Sequence, residues 1–205
     1  MAGKRPPKSF ATSRLDLSTI QPGSKLWWHL TLARYPDPLG FGKTPSRFSD
    51  PRVAMPDEER FGVFYLGTSI QVCFLETVLR DRRTARMGYL PIEQSELQVW
   101  NTVAVDFGEP ALLVDLTGDG AVRMGLPTDA VRTARHHWGQ IWSLAIWSHD
   151  SQPDGIMFPS RLNGETNIAL FDRAMPKIRS AGVVPLMHQY GAMADIVRRF
   201  DLAIV

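Results

Sequence analysis

Residues Phe61 to Arg80 read FGVFYLGTSIQVCFLETVLR, and the two halves of this stretch follow different periods. Phe61-Gly62-Val63-Phe64-Tyr65-Leu66 is a short apolar run rich in aromatic and β-branched residues, which marks a strand. Gly67-Thr68-Ser69 ends it, and Thr68 or Ser69 can cap a helix running to Arg80. On that helix Glu76 shares a stripe with Val72, Cys73 and Leu79, while Ile70, Phe74 and Val78 make the other side equally apolar. The helix is therefore expected to be buried on both sides with a carboxylate inside it. An unpaired buried charge is costly, so Glu76 must be paired, protonated or used. Two companions lie upstream: Tyr65 near the end of the strand, and Arg47 in Pro45-Ser46-Arg47-Phe48-Ser49-Asp50-Pro51. Together the three point to an enzyme site.

Outward from this unit, Leu26 to Ala33 reads as a strand, and Pro36 to Asp57 is too rich in Pro, Gly and Ser to be anything but a long loop. Residues 97–106 and 111–116 read as strands separated by Gly108-Glu109-Pro110. Thr128 can cap a long helix through about Ser148, with Trp138, Trp142 and Ala145 on one stripe and Ile141 beside it. Strand-like runs follow at Gly155 to Phe158, Asn167 to Phe171 and, more weakly, Val183 to Leu186. A short helix from Ala192 to Phe200 and a terminal apolar run close the chain. Strands outnumber helices without alternating regularly with them. The expected class is α+β: a single domain of twisted, mixed β-sheets with flanking helices. Residues 1–22, polar and proline-bearing, are expected to be a flexible basic arm, and residues 23–205 the domain.

Composition excludes several classes of function. The 205 residues are 44% hydrophobic, enough to bury one full core. A net charge of +2, with basic clustering confined to Lys4-Arg5-Pro6-Pro7-Lys8, argues against direct nucleic-acid binding or an anionic membrane surface. Cys73 is the one cysteine, so an internal disulfide is excluded and a cysteine-based zinc site is implausible. No apolar run approaches the ~20 residues of a spanning helix, and no signal core follows the basic N-terminus. A soluble, cytoplasmic protein is expected, and no metal site.

Other signals weaken on inspection. Gly118-Asp119-Gly120 lacks the other glycines of a dinucleotide fingerprint. Gly40-Phe41-Gly42-Lys43-Thr44 lacks the first glycine of a phosphate loop and follows Pro-Asp-Pro, which is not a strand. Adjacent His136 and His137 point to different faces of a helix, whereas two ligands of one metal need i, i+4 spacing. No Gly-x-Ser-x-Gly elbow accompanies Ser160. Taken singly, Arg47 reads as a surface residue, Tyr65 as a core aromatic and Ser160 as a turn residue. Glu76 could still be structural if a buried arginine paired with it.

Taken in order, the stretches Ser46-Arg47-Phe48-Ser49-Asp50-Pro51, Phe61 to Gly67, Phe74-Leu75-Glu76-Thr77, Pro153 to Arg161 and Ile168-Ala169-Leu170-Phe171-Asp172 resemble the RES-domain family, named for its arginine, glutamate and serine. The resemblance runs from about Lys25 to the C-terminus. It implies an ADP-ribosyltransferase-like fold and an enzyme that consumes NAD⁺ as substrate, with no separate cofactor. It also implies a toxin antagonised by a small helix-turn-helix antitoxin of the Xre type, and it leaves room for homo-oligomers. Arg47, Tyr65 and Glu76 become the catalytic positions, and Ser160 lines the same pocket, joined by Ser46 and Arg161 as substrate-binding residues. The chain departs from the family in its first strand, where many members carry arginine and this one has Trp27-Trp28-His29. That puts a second phosphate contact in doubt.

The residue types suit the implied chemistry. An ionised Glu76 would stabilise an oxocarbenium-like transition state at the nicotinamide–ribose bond. Arg47 offers a planar fork for a pyrophosphate. Tyr65 offers a ring face and a hydroxyl, and Ser160 a hydrogen bond to amide or ribose. The acceptor stays open between water, phosphate and a protein side chain. A catalytically silent module that binds a nucleotide or a protein is the alternative, supported by the Trp-Trp-His departure. The loop from Pro36 to Asp57, which carries Arg47, is expected to expose Phe41 and Phe48 as anchors for an antagonist.

Overall fold

A computed structural model describes residues 5–80, 82, 87–132 and 136–205. Strands β1 (Leu17–Ile20), β2 (Trp27–Leu32) and β3 (Val63–Gly67) precede helix α1 (Ile70–Phe74). Strand β4 (Leu90–Ile92), helix α2 (Gln94–Gln98) and strands β5 (Trp100–Phe107) and β6 (Ala111–Asp115) follow. Three helices come next, α3 (Gly120–Arg123), α4 (Thr128–Arg132) and α5 (His137–Trp147). The chain then adds β7 (Gly155–Pro159), β8 (Thr166–Phe171), β9 (Ile178–Pro185), α6 (Tyr190–Arg199) and β10 (Leu202–Ile204). Eight strands form one sheet in the order β1-β6-β7-β8-β3-β2-β5-β9, antiparallel except where β6 meets β7, while β4 and β10 pair in parallel as a second sheet. The α+β class, with mixed sheets and flanking helices, is the one expected.

Strand β3 shows why its sequence is apolar throughout. Successive side chains point to opposite faces of a sheet, and here both faces are covered. Val63 and Tyr65 pack with Trp142 and Phe158 on the side of α5. Phe64 and Leu66 pack with Val103, Val105, Ile168 and Leu170 on the other side. A third apolar group joins Leu30 of β2 to Val72, Phe74, Ile196 and Leu202 around α1 and α6.

The Glu76 helix differs from its expected form. Ser69 caps it, its hydroxyl accepting from Val72 N at 3.1 Å. The α-helical part ends at Phe74 and the chain continues as a π-helical turn, Leu75–Leu79. The wider turn breaks the 3.6-residue stripe that would group Glu76 with Leu79. Leu75, Val78 and Leu79 stay in the core, Glu76 is half-buried and Thr77 is exposed. The carboxylate is thus not sealed between two apolar faces.

The other departures have equally local causes. Lys8–Thr12 forms a 3₁₀ turn whose Phe10 meets the Trp142 ring edge-on at 5.1 Å, and β1 pairs with β6. Residues 8–20 are therefore part of the fold, anchored by Phe10 and Leu15, and are no flexible arm. The long helix expected from Thr128 to Ser148 is two helices, with Thr128 the first helical residue of α4 and residues 133–135 outside those described. A Cβ on Gly139 would come within 3.0 Å of Ala130 O. Nine residues of straight helix would hold those positions about 13 Å apart, so α4 and α5 are not parts of one straight helix.

Candidate active site

The main sheet carries a defect where the site lies. Strand β2 pairs with β5 over six residues, yet with β3 at a single register, Trp28 opposite Gly67. Beyond that pair the strands part. The Tyr65 carbonyl accepts from His29 Nδ1 at 2.9 Å, and the His29 ring packs on Phe64 with centroids 4.4 Å apart. A cavity of about 260 Å³ opens there, bounded by β2, β3, the end of α1 and the loop before β3.

On the loop side, the wall is heavily bonded. Tyr65 Oη shares a hydrogen bond with Ser46 Oγ at 2.9 Å and accepts from Phe48 N at 3.0 Å. Ser49 closes the turn by accepting from Ser46 N and donating to Ser46 O. From α5, Gln140 Nε2 donates to Ser46 O and Ser143 Oγ to Phe48 O. These bonds hold Arg47, whose side chain is buried and donates to Val131 O at 2.9 Å. Gly139 is required here, because a Cβ would meet Arg47 O at 2.5 Å. Phe48 is buried against Phe158, with centroids 4.8 Å apart. Of the two expected anchors, only Phe41 is exposed, its ring lying over Gly62; Phe48 is needed as a core wedge beneath the loop.

On the helix side, Glu76 faces the cavity with Thr77 and Arg80. Its Oε1 accepts from Ser160 Oγ at 2.7 Å. Ser160 is buried and is absent from the residues lining the cavity, so it holds Glu76 from behind and does not form the wall itself. Ser46, Arg47 and Tyr65 do line it. Arg161 stands outside the lining and reaches the site through its charge on Arg47.

The electrostatics favour an anion. Burial pulls the Arg47 guanidinium below its ordinary pKa against the pull of Glu76 and Tyr65, and Arg161 and Arg80 add to the lowering. Arginine stays charged under such a shift, so Arg47 and Arg80 leave the cavity cationic around one carboxylate. Arg80 itself bonds to His136 Nε2 at 2.6 Å. Burial raises the Tyr65 phenol, which remains a neutral hydroxyl. Burial pushes the Cys73 thiol up to about 12, so it is no nucleophile. Burial, opposed by its bond to Tyr65 O, lowers His29 to about 4 and keeps it neutral.

Sequence reading missed eight lining residues: the apolar Leu30, Leu66 and Phe158, and also His29, Cys73, Thr77, Arg80 and Asn167. Arg80 could have been found, standing four positions after Glu76 on the same helix. Of Trp27-Trp28-His29, His29 is the residue that lines the cavity, neutral at a strand where arginine was expected.

Residues 25–192 match the model of the RES domain. A curated relative described as "Probable toxin y4kH", from Sinorhizobium fredii, is 46% identical over 127 residues, which is 62% of this chain and 100% of that protein. A chain from the crystal structure of the M. tuberculosis MbcT–MbcA toxin–antitoxin complex superposes with a TM-score of 0.61 at 18% identity, covering 85% of this chain and 91% of that one. At that identity the likeness establishes fold alone. No helix among the described residues is long and apolar enough to cross a membrane.

Proposed function

The chain belongs to the RES-domain family, and from that premise we propose that it consumes NAD⁺ by breaking the nicotinamide–ribose bond. The observation that carries the reading is Glu76, held by Ser160 at the wall of a cavity that also presents Arg47 and Tyr65. At about 260 Å³ the cavity is small for a whole dinucleotide, since ligand pockets run from roughly 300 to 1,000 Å³. It suits one end of the molecule, with the remainder lying across the mouth.

Nicotinamide leaves as a neutral group from a cationic ring, so the protein need not protonate it. As the ribose C1″–N bond breaks, its electron pair goes to nicotinamide and positive charge develops on the ribose. The Glu76 carboxylate stabilises that charge. An acceptor oxygen then bonds to C1″, and its proton passes to Glu76 or to solvent. Arg47 supplies charge and a planar fork for the pyrophosphate, and Tyr65 a ring and hydroxyl beside it. Water as acceptor makes the protein a glycohydrolase, phosphate a phosphorylase, and a protein side chain an ADP-ribosyltransferase.

Likeness to a probable toxin and to a chain from a toxin–antitoxin complex supports a toxin restrained by a protein antitoxin. Exposed Phe41, on the loop that carries Arg47, is a suitable anchor for it.

The test is to incubate purified protein with NAD⁺, with and without phosphate, and identify the products. ADP-ribose is expected in either buffer if water is the acceptor, and its 1″-phosphate in phosphate buffer otherwise. Unchanged NAD⁺ in both, with no ADP-ribosyl group transferred to protein in an added cell extract, would overturn the reading. Replacing Arg47 by lysine keeps charge and loses the fork, and should raise KM roughly tenfold or more. An unaltered KM would place Arg47 outside substrate binding.

A further inference from the structure

Asn167 is 5% exposed and lines the cavity, yet its side-chain amide has no hydrogen-bond partner among the described residues, and its Nδ2 is fully enclosed. A buried amide left unmatched is uncommon, because each unmade bond costs the desolvation of the group. Its neighbours cannot satisfy it. A Cβ built on Gly67 would lie 2.8 Å from Cys73 Sγ and 3.2 Å from Asn167 Oδ1, so the amide sits against a thiol and a bare backbone. Cys73 already donates to Trp28 O.

The placement of these groups along the helix gives the cavity a direction. Cys73, Glu76 and Arg80 follow one another on the same helical segment, and seven residues span about 10 Å of axis. At the Cys73 end the wall is polar and uncharged, with Asn167 and the thiol. Glu76 stands between the ends. At the other end Arg80 brings a cation to the wall. A dinucleotide with one neutral amide end and one anionic diphosphate end, cut between them, matches this order in one orientation.

We propose that Asn167 recognises the carboxamide of the nicotinamide ring, accepting at Oδ1 from the carboxamide nitrogen, while the diphosphate lies toward Arg80 and Arg47. The carboxamide N–H then supplies Oδ1 with a donor, which a carboxylate lacks. A carboxylate at the same position would set oxygen against Oδ1 near the Glu76 charge. Asn167 is therefore the residue by which the site tells NAD⁺ from its deamidated analogue, nicotinic acid adenine dinucleotide. This rests on the NAD⁺-cleaving reading above.

The experiment measures kcat/KM for both dinucleotides in the native protein and in Asn167→Leu, which keeps the volume and removes the amide. Asn167→Ser, measured the same way, replaces it if the leucine variant does not fold. The native protein should prefer NAD⁺, and the variant should lose that preference by about tenfold or more, because a site built around a hydrogen-bonding group rejects a ligand that cannot match it. A residue that merely supports the fold would lower both values alike, and an unchanged ratio overturns the proposal. If neither dinucleotide is cleaved, the NAD⁺-cleaving reading fails separately. The carboxamide site is then decided by binding of free nicotinamide and free nicotinate, followed by ligand-observed NMR. Nicotinamide bound by the native protein and lost in the variant supports the site, and equal or absent binding of the two overturns it.

Discussion

The two walls of the cavity are built in opposite ways. The loop wall has no regular structure, yet Ser46, Arg47 and Phe48 are held through the Tyr65 hydroxyl, Ser49, Gln140, Ser143 and Val131. The helix wall is regular, yet its carboxylate hangs from a π-helical turn and, among the described residues, takes its side-chain bond from Ser160. Rigidity at this site therefore follows the hydrogen-bond network and not the secondary structure. Such a division suits the chemistry proposed: the grip on the substrate is fixed in advance, and the charge that meets the reacting carbon is left open to the cavity.

The largest expected effect tests the helix wall. Glu76→Gln keeps shape and removes charge, so NAD⁺ turnover should fall by roughly a thousandfold or more. The amide oxygen can still accept from Ser160, so thermal stability should change little. Near-native turnover would remove Glu76 from the chemistry, and a large drop in melting temperature would show that this wall bears structure too.

His29 tests the gap beneath the loop wall. Its folded pKa of about 4 lies below the ordinary 6.5, so the unfolded chain takes up the proton first as pH falls. Its contribution is whole above about pH 6.5 and is lost toward pH 4, by up to about 3 kcal/mol. Thermal melts across that window should be flatter for His29→Gln than for the native chain, and parallel curves would show that the ring is free to charge.

Tyr65→Phe comes next in size. It leaves Phe48 N and Ser46 Oγ without their partner, and stability should drop by about 1–3 kcal/mol in denaturant melts. An unchanged midpoint would mean that the loop wall does not depend on this hydroxyl. The smallest effect belongs to Ser160→Ala, which frees the carboxylate on the other wall. There kcat should fall about tenfold with little change in KM. A rise in KM instead would give Ser160 a direct contact with substrate.

The same contrast explains what could be read from sequence. The order strand, turn, helix in residues 61–80 was legible because local period and capping set it, and Ser69 does cap the helix. Glu76, Arg47 and Tyr65 were legible because their residue types are conspicuous in their surroundings. The π turn was not, since Leu75 to Leu79 carries the same apolar spacing an α-helix would. Strands β4 and β10 are three residues each and pair across more than half the chain, Leu90 with Leu202, which no local pattern records. Phe10 and Leu15 lie among polar residues, and two anchors sufficed to tie down a segment whose composition reads as loose. Asn167 looked like one more strand residue. Its unmatched amide is a property of the neighbours that β3 and α1 bring to it.

The bond from Ser160 to Glu76 joins residues 84 positions apart, and the bond from Arg47 to Val131 spans the same separation. Contacts so distant in the chain form late, because closing a long loop must precede them. During synthesis the first half of this protein can make its strand, its turn and its helix while both walls still lack their supports. Competence then arrives with the C-terminal half, when β7 delivers Ser160. On the proposed toxin reading, a growing chain is in that sense harmless to the ribosome's own surroundings, and the proposed antagonist, translated alongside it, has the remaining time of synthesis in which to fold first.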